Sequence, residues 1–162
     1  MGKVNKQVLV REVITGAREN SIGVVLFHQA VGRILGINVT DMKCLNIIVM
    51  KGSASPSLLA ELTGLSTGSA TAMIDRLERR GLIKRLPNPD DRRGTTVVLT
   101  VEATKRLPRL FASMAKAMEE LVSSYSESQL EILLDFFRRI SRLWRSEREQ
   151  LQRSQTSYRG RN

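Results

Sequence analysis

Residues 55–100, SPSLLAELTGLSTGSATAMIDRLERRGLIKRLPNPDDRRGTTVVLT, leave the chain few ways to fold. Ser55-Pro56 is a helix start, with a hydroxyl that can cap and a proline in the first turn, where its missing N–H is harmless. Gly64 breaks that helix early. Ser66 opens a second, longer helix whose apolar residues Ala70, Met73, Ile74 and Leu77 recur at three and four, and Gly81 ends it. LIKRL (82–86) and TTVVLT (95–100) read as short strands. The stretch between them, near 87–95, is longer than the two to five residues or so that a tight hairpin needs, and it is rich in Pro, Asp, Arg and Gly. A short helix, a glycine turn, a longer helix and a hairpin follow helix–turn–helix grammar.

Helical periodicity fills the rest. Residues 4–19 and 21–35 read as helical stretches interrupted at Asn20-Ser21, with Gly36 at the C-terminal end. Thr40 is the expected cap of the next helix, Asp41 complements its dipole, and that helix runs to about Met50. Thr100 caps a long helix with the stripe Leu107, Leu110, Met114, Met118, Leu121 and Tyr125, and Pro108 is expected to kink it or delay its start. Ser126 and Gln129 form a capping box before a last helix carrying Leu130, Leu133, Phe137, Ile140 and Trp144. Beyond Arg148 the chain turns polar and is expected to fray.

The fold class is therefore mainly α with a small β-hairpin: a compact helix–turn–helix–hairpin middle, the pattern of a winged helix–turn–helix domain in the family resemblance given below, flanked by long dimerisation helices. The expected divisions are 1–38, N-terminal helices of the dimerisation region; 39–100, the DNA-binding domain; 101–148, C-terminal dimerisation helices; and 149–162, a disordered basic tail. The flanking stripes are too long for one small domain to cover, which points to a second copy and a homodimer.

Charge indicates the partner. Lys and Arg number 26 against 16 Asp and Glu, a formal net charge of +10. The excess concentrates at the end, where residues 138–162 carry eight arginines and two glutamates. Such a balance suits a polyanion, most often nucleic acid and sometimes an anionic membrane. The longest apolar run, IGVVLF (22–27), is far below the roughly 20 residues of a membrane span. A signal-peptide pattern is lacking, and the lone Cys44 cannot form an internal disulfide, so a cytoplasmic setting is expected.

The second helix opens with small polar residues, Ser66, Thr67, Gly68, Ser69 and Thr71, in the positions that enter a major groove. Hydroxyls there let the backbone approach and can bond base edges or phosphates, and the helix N-terminus favours anions. Arg76, Arg79 and Arg80 can reach the backbone; the plainer alternative has the hydroxyls as caps and Arg79 paired with Asp75 at i,i+4.

Other signals are weaker. Gly64-Leu65-Ser66-Thr67-Gly68 spells the nucleophile elbow of α/β-hydrolases, but a helix precedes it where the elbow needs a strand, and the one histidine, His28, lies upstream, so no enzyme is expected. Cys44 is a redox candidate whose apolar surroundings favour core packing. One His and one Cys give no metal-site spacing, and no cofactor is expected.

Residues 39–100 resemble the MarR family of winged helix–turn–helix regulators. The resemblance rests on a leucine-alanine helix, a glycine turn, a Ser/Thr-rich helix ending in DRLERRGLIKR, and a wing reading Asp91-Arg92-Arg93 before Leu99-Thr100. It implies a homodimer on pseudo-palindromic double-stranded DNA, with residues 66–80 in the major groove. Arg93 would enter the minor groove, held by Asp91, as a narrow groove favours arginine. Ser57, Ser66, Thr67, Ser69, Thr71, Arg76, Lys84, Arg85 and Arg92 complete the expected DNA contacts. The resemblance also implies a small aromatic or anionic effector, for which Phe27, His28, Met42 and Cys44 lie in the right neighbourhood, and a regulator such as a repressor. One departure stands out: Ala72 occupies a position where many relatives carry arginine, which shifts specificity toward the wing and DNA shape. The rival reading is an architectural or non-specific nucleic-acid binder without effector response.

Overall fold

The structure is a computed structural model describing the backbone of residues 5–88 and 91–159 and the side chains of residues 5–88 and 94–154. In chain order the elements are α1 (Lys6–Leu35), α2 (Val39–Lys51), α3 (Pro56–Thr63), α4 (Thr67–Arg79), β1 (Ile83–Asn88), β2 (Asp91–Leu99), α5 (Val101–Ser123) and α6 (Glu127–Arg159). They fall into two compact units, Met1–Leu110 and Phe111–Asn162. The mainly helical fold with one hairpin is the expected class.

In the first unit α1 is a single helix. Asn20-Ser21 does not interrupt it, because neither residue costs more than about 0.7 kcal/mol in a helix interior and neither removes a backbone donor. Its ends are both capped: Asn5 accepts from the Gln7 N–H at 2.9 Å, and Gly36 adopts the left-handed conformation (φ 68°). The left-handed backbone of this corner favours glycine, whereas the one group near a Cβ at Gly36 is the guanidinium of Arg80, the exposed end of a flexible side chain that can move aside. The cap of α2 is Asn38, not Thr40. Asn38 and Asp41 form a reciprocal capping box that fixes the start of α2 two residues before the expected cap.

Around this corner the core assembles. Met42, Cys44, Leu45 and Ile48 of α2 are buried, with Leu59 of α3 and Met73, Ile74 and Leu77 of α4. Ser55 caps α3 with Pro56 in the first turn, and Gly64 ends it in the left-handed conformation (φ 77°), as the sequence indicates.

β1 and β2 pair antiparallel from Ile83↔Leu99 to Pro87↔Thr95, and the register then shifts to Asn88↔Asp91. The two strands thus extend into the apparent loop, through Asn88 on one side and from Asp91 on the other. Sequence reasoning stopped the strand at proline, yet Pro87 is tolerated because a two-stranded hairpin has only edge strands, where a missing N–H needs no partner. Pro89 and Asp90 lie outside the described residues. A one-residue bridge fastens the hairpin root: Ala54 N–H donates to Val97 O at 3.1 Å and Val97 N–H to Ala54 O at 2.8 Å. Thr100 then caps α5, its Oγ1 accepting from the Ala103 N–H at 3.1 Å and donating to Gly81 O at 2.6 Å. Pro108 lies inside α5 and does not delay its start.

In the second unit, the Ser126–Gln129 box starts α6, with Gln129 Oε1 accepting from the Ser126 N–H at 2.8 Å. The helix runs to Arg159, through most of the segment expected to be a disordered tail. Residues 149–153 are good helix formers, and Arg153 pairs with Glu149 at i,i+4, which lets the helix continue past the last apolar stripe residue. None of the described side chains between 111 and 154 is buried. Among the described residues no single helix is long and apolar enough to cross a membrane.

Candidate nucleic-acid interface

The second helix of the helix–turn–helix is α4. Ala70, Met73, Ile74 and Leu77 bury one face of it against the core. Thr67, Gly68, Thr71 and Ala72 are exposed on the other. Ser66 caps the helix, its Oγ accepting from the Ser69 N–H at 3.3 Å and donating to Ser69 Oγ at 3.0 Å. Thr71 Oγ1 donates to Thr67 O at 3.0 Å. No acidic residue sits in the first turn, so the positive end of the helix dipole is left for an outside anion. Of these hydroxyls Ser66 is the cap, and Ser66, Thr67, Ser69 and Thr71 are all exposed. Ser57 is exposed at the first turn of α3, its Oγ 3.0 Å from that of Ser55.

The arginines divide. Asp41, at 0% exposure, accepts from Arg76 Nε at 2.9 Å and Arg76 Nη2 at 2.5 Å. Its Oδ2 also accepts from the Asn38 N–H at 3.3 Å, so the buried carboxylate is well satisfied. Arg76 therefore ties α4 to the start of α2, and the hydrogen bond to Asp41 pushes its pKa up. Arg85 of β1 holds two carboxylates of α4, with Nη2 2.5 Å from Asp75 Oδ1 and Nη1 bonded to Glu78. Its pKa is raised too, first by the bond to Asp75. Arg79 Nε donates to the Asp75 carbonyl at 3.3 Å, not to its carboxylate. Arg79, Arg80 and Lys84 are exposed cations. Asp91, Arg92 and Arg93 have backbone in β2, and their side chains lie outside the described residues.

Sequence reasoning missed both internal clamps. Asp41 and Arg76 are 35 positions apart, and no local pattern links them. Asp75 and Glu78 sit three apart on one helix face, a visible acidic pair that called for a cation nearby.

The hydrolase-like motif has no elbow geometry, since Ser66 follows helix α3 and a glycine turn and its hydroxyl is held by Ser69. Of the expected effector residues, Phe27 and His28 are half-buried, ring centroids 6.0 Å apart, with His28 Nε2 3.4 Å from Asn46 Nδ2 on α2. Met42 (1% exposed) and Cys44 (0%) belong to the core and offer a ligand no surface. Burial, and then the charge of Asp41, pushes the Cys44 thiol up to about 12, which makes it a poor redox sensor at neutral pH.

Comparison with known proteins matches residues 37–95 to the model of the MarR family. The uncharacterized HTH-type transcriptional regulator YcgE of Bacillus subtilis (strain 168) is 36% identical over 127 residues, which cover 78% of this chain and 82% of that protein. The crystal structure of transcriptional regulator Tm0710 from Thermotoga maritima has a TM-score of 0.58 at 25% identity, covering 84% of this chain and 93% of that one. NadR, crystallised with 4-hydroxyphenylacetate, shares the fold at a TM-score of 0.60 and 18% identity, covering 86% and 97% of the two chains.

Proposed function

This chain belongs to the MarR family of DNA-binding transcriptional regulators, and we propose that it acts in the cytoplasm as a homodimeric repressor on a pseudo-palindromic operator. The observation that carries the reading is the N-terminal half of α4. There an apolar face locks the helix down while Ser66, Thr67, Ser69 and Thr71 stand exposed at the positive end of its dipole. Thr67, Ser69 and Thr71 contact base edges or phosphates from the major groove, with Ser57 and Lys84 flanking them. With Ala72 on the reading face, there is no guanidinium at that point for a bidentate guanine contact, and thymine methyls suit the small side chains. Arg93, steadied by Asp91 and joined by Arg92, takes the minor groove.

Dimerisation is supported by the apolar side chains that α1, α5 and α6 leave in water, among them Val13, Leu26, Met118, Phe137 and Trp144. The effector is a small aromatic or anionic molecule at Phe27 and His28, a reading supported by the aromatic acid in NadR. Effector binding changes the spacing of two reading heads set about 34 Å apart, one helical turn, and so lowers affinity.

The test is selection of duplexes from a random-sequence pool, followed by binding across salt concentrations. An inverted-repeat motif bound with a steep salt dependence is the expected result. Sequence-independent protection would favour the architectural reading, and a flat salt profile would sink DNA binding altogether.

A further inference from the structure

Arg85 joins three pieces of the first unit along one line. Its backbone N–H donates to Glu78 Oε1 at 3.0 Å, its Nη1 bonds the other Glu78 oxygen, and its Nη2 reaches Asp75 Oδ1 at 2.5 Å. Across the hairpin, Arg85 pairs with Val97. Val97 is the residue bridged on its other side to Ala54, just before α3. One transverse row therefore runs from Ala54 through β2 and β1 to two carboxylates on successive turns of α4. Both carboxylates face a cation that stays charged at any ordinary pH, and both main-chain and side-chain donors of Arg85 are engaged.

We propose that Arg85 is a positioning residue for DNA recognition and not itself a DNA contact. By holding Asp75 and Glu78 it fixes the angle between α4 and the hairpin, so that major-groove and wing contacts are read at one set offset. Helix and wing then move as a single block, and any effector-driven change moves the block instead of bending it. This rests on the DNA reading above.

The experiment uses the full-length protein and the duplex that the wild type selects from a random pool. It adds a second duplex altered only at base pairs outside the footprint of α4. Arg85→Ala is expected to weaken binding to the selected duplex about tenfold. The slope of log affinity against log salt stays that of the wild type, whereas loss of a phosphate contact would lower it by about 1. The ratio of affinities for the two duplexes falls, an outcome that a merely lower folded fraction would not produce, since it scales both equally. Asp75→Asn and Glu78→Gln, together, weaken binding in the same direction and add little to Arg85→Ala. If Arg85 instead bound phosphate, removing its carboxylate partners would free it and tighten binding. Asp75→Asn alone, at a half-exposed site, serves where the larger variants lose the fold. Tightening by the carboxylate variants, a lowered salt slope for Arg85→Ala, or an unchanged duplex ratio overturns the proposal while DNA binding stands. A wild type that selects no duplex overturns the DNA reading itself.

Discussion

The segment from α2 to the first turns of α5 and the helices on either side of it use apolar residues in opposite ways. Between Met42 and Leu107 the large apolar residues are mostly buried, several of them completely, and a buried carboxylate is matched by a guanidinium. In α1 up to Leu26, and among the described side chains of 111–154, apolar residues as large as Trp144 remain 66% exposed or similar. The first region closes its own core within the chain. In the second, large apolar side chains stay open to water. A short chain can thus hold a closed core beside open apolar faces, and substitutions should separate the two sharply.

The largest effect is expected inside the finished region. Arg76→Ala leaves the Asp41 carboxylate buried without its partner, a class of change costing about 3–5 kcal/mol. Arg76 keeps 38% of its side chain in water, so the low end, about 3 kcal/mol, is expected in urea unfolding. A loss below about 0.5 kcal/mol would mean that the clamp is ornamental.

Alkaline pH probes the same core. The folded Cys44 thiol is raised from its ordinary value near 9 to about 12. Below pH 9 both states keep the proton and nothing changes. Between 9 and 12 the unfolded thiol loses its proton while the folded one retains it, so stability falls by up to about 1.4 kcal/mol per pH unit. Comparing the wild type with Cys44→Ala isolates this contribution, and equal pH profiles would contradict it.

The open faces should respond to concentration instead. Trp144 is the chain's one tryptophan, and its emission should shift to the red as the protein is diluted below its dimer dissociation constant. Phe137→Glu should raise that constant at least about tenfold, measured by sedimentation, without lowering monomer stability. A monomer that keeps its emission at every concentration would break the contrast between the two regions.

Smaller effects finish the series. Ser66→Ala removes the cap of α4 and should cost about 1 kcal/mol, read by thermal unfolding. Arg139→Ala, which breaks an exposed i,i+4 pair with Asp135 on α6, should change stability by less than about 0.5 kcal/mol in the same measurement.

The parts legible in the sequence were those decided within one turn of the chain. Ser55-Pro56, Ser66, Thr100 and Ser126 with Gln129 are caps whose partners lie three residues away, and all four hold. The cap of α2 was misplaced because Thr40 and Asn38 both carry capping oxygens, and the choice depends on where Asp41 finds room. The paired wing was missed because strand propensity stops at Pro87, whereas the ladder needs only that this edge lack a required donor. The exposed hydroxyls of the reading helix were visible from the start. The inward duties of Arg76 and Arg85 were not, since each depends on carboxylates that only folding brings near.

The corner at Gly36 has a consequence for how this protein can vary. It is exposed, so a scan guided by burial would rank it as permissive. Its left-handed backbone costs other residues about 1–2 kcal/mol, while the guanidinium of Arg80, which lies where a methyl group would go, is the exposed tip of a flexible side chain. Inheritance of the fold thus favours glycine at a surface position through its backbone and not through burial. A library randomised at residue 36 should return glycine most often and asparagine next, and shortening residue 80 in the same clone should change that order little.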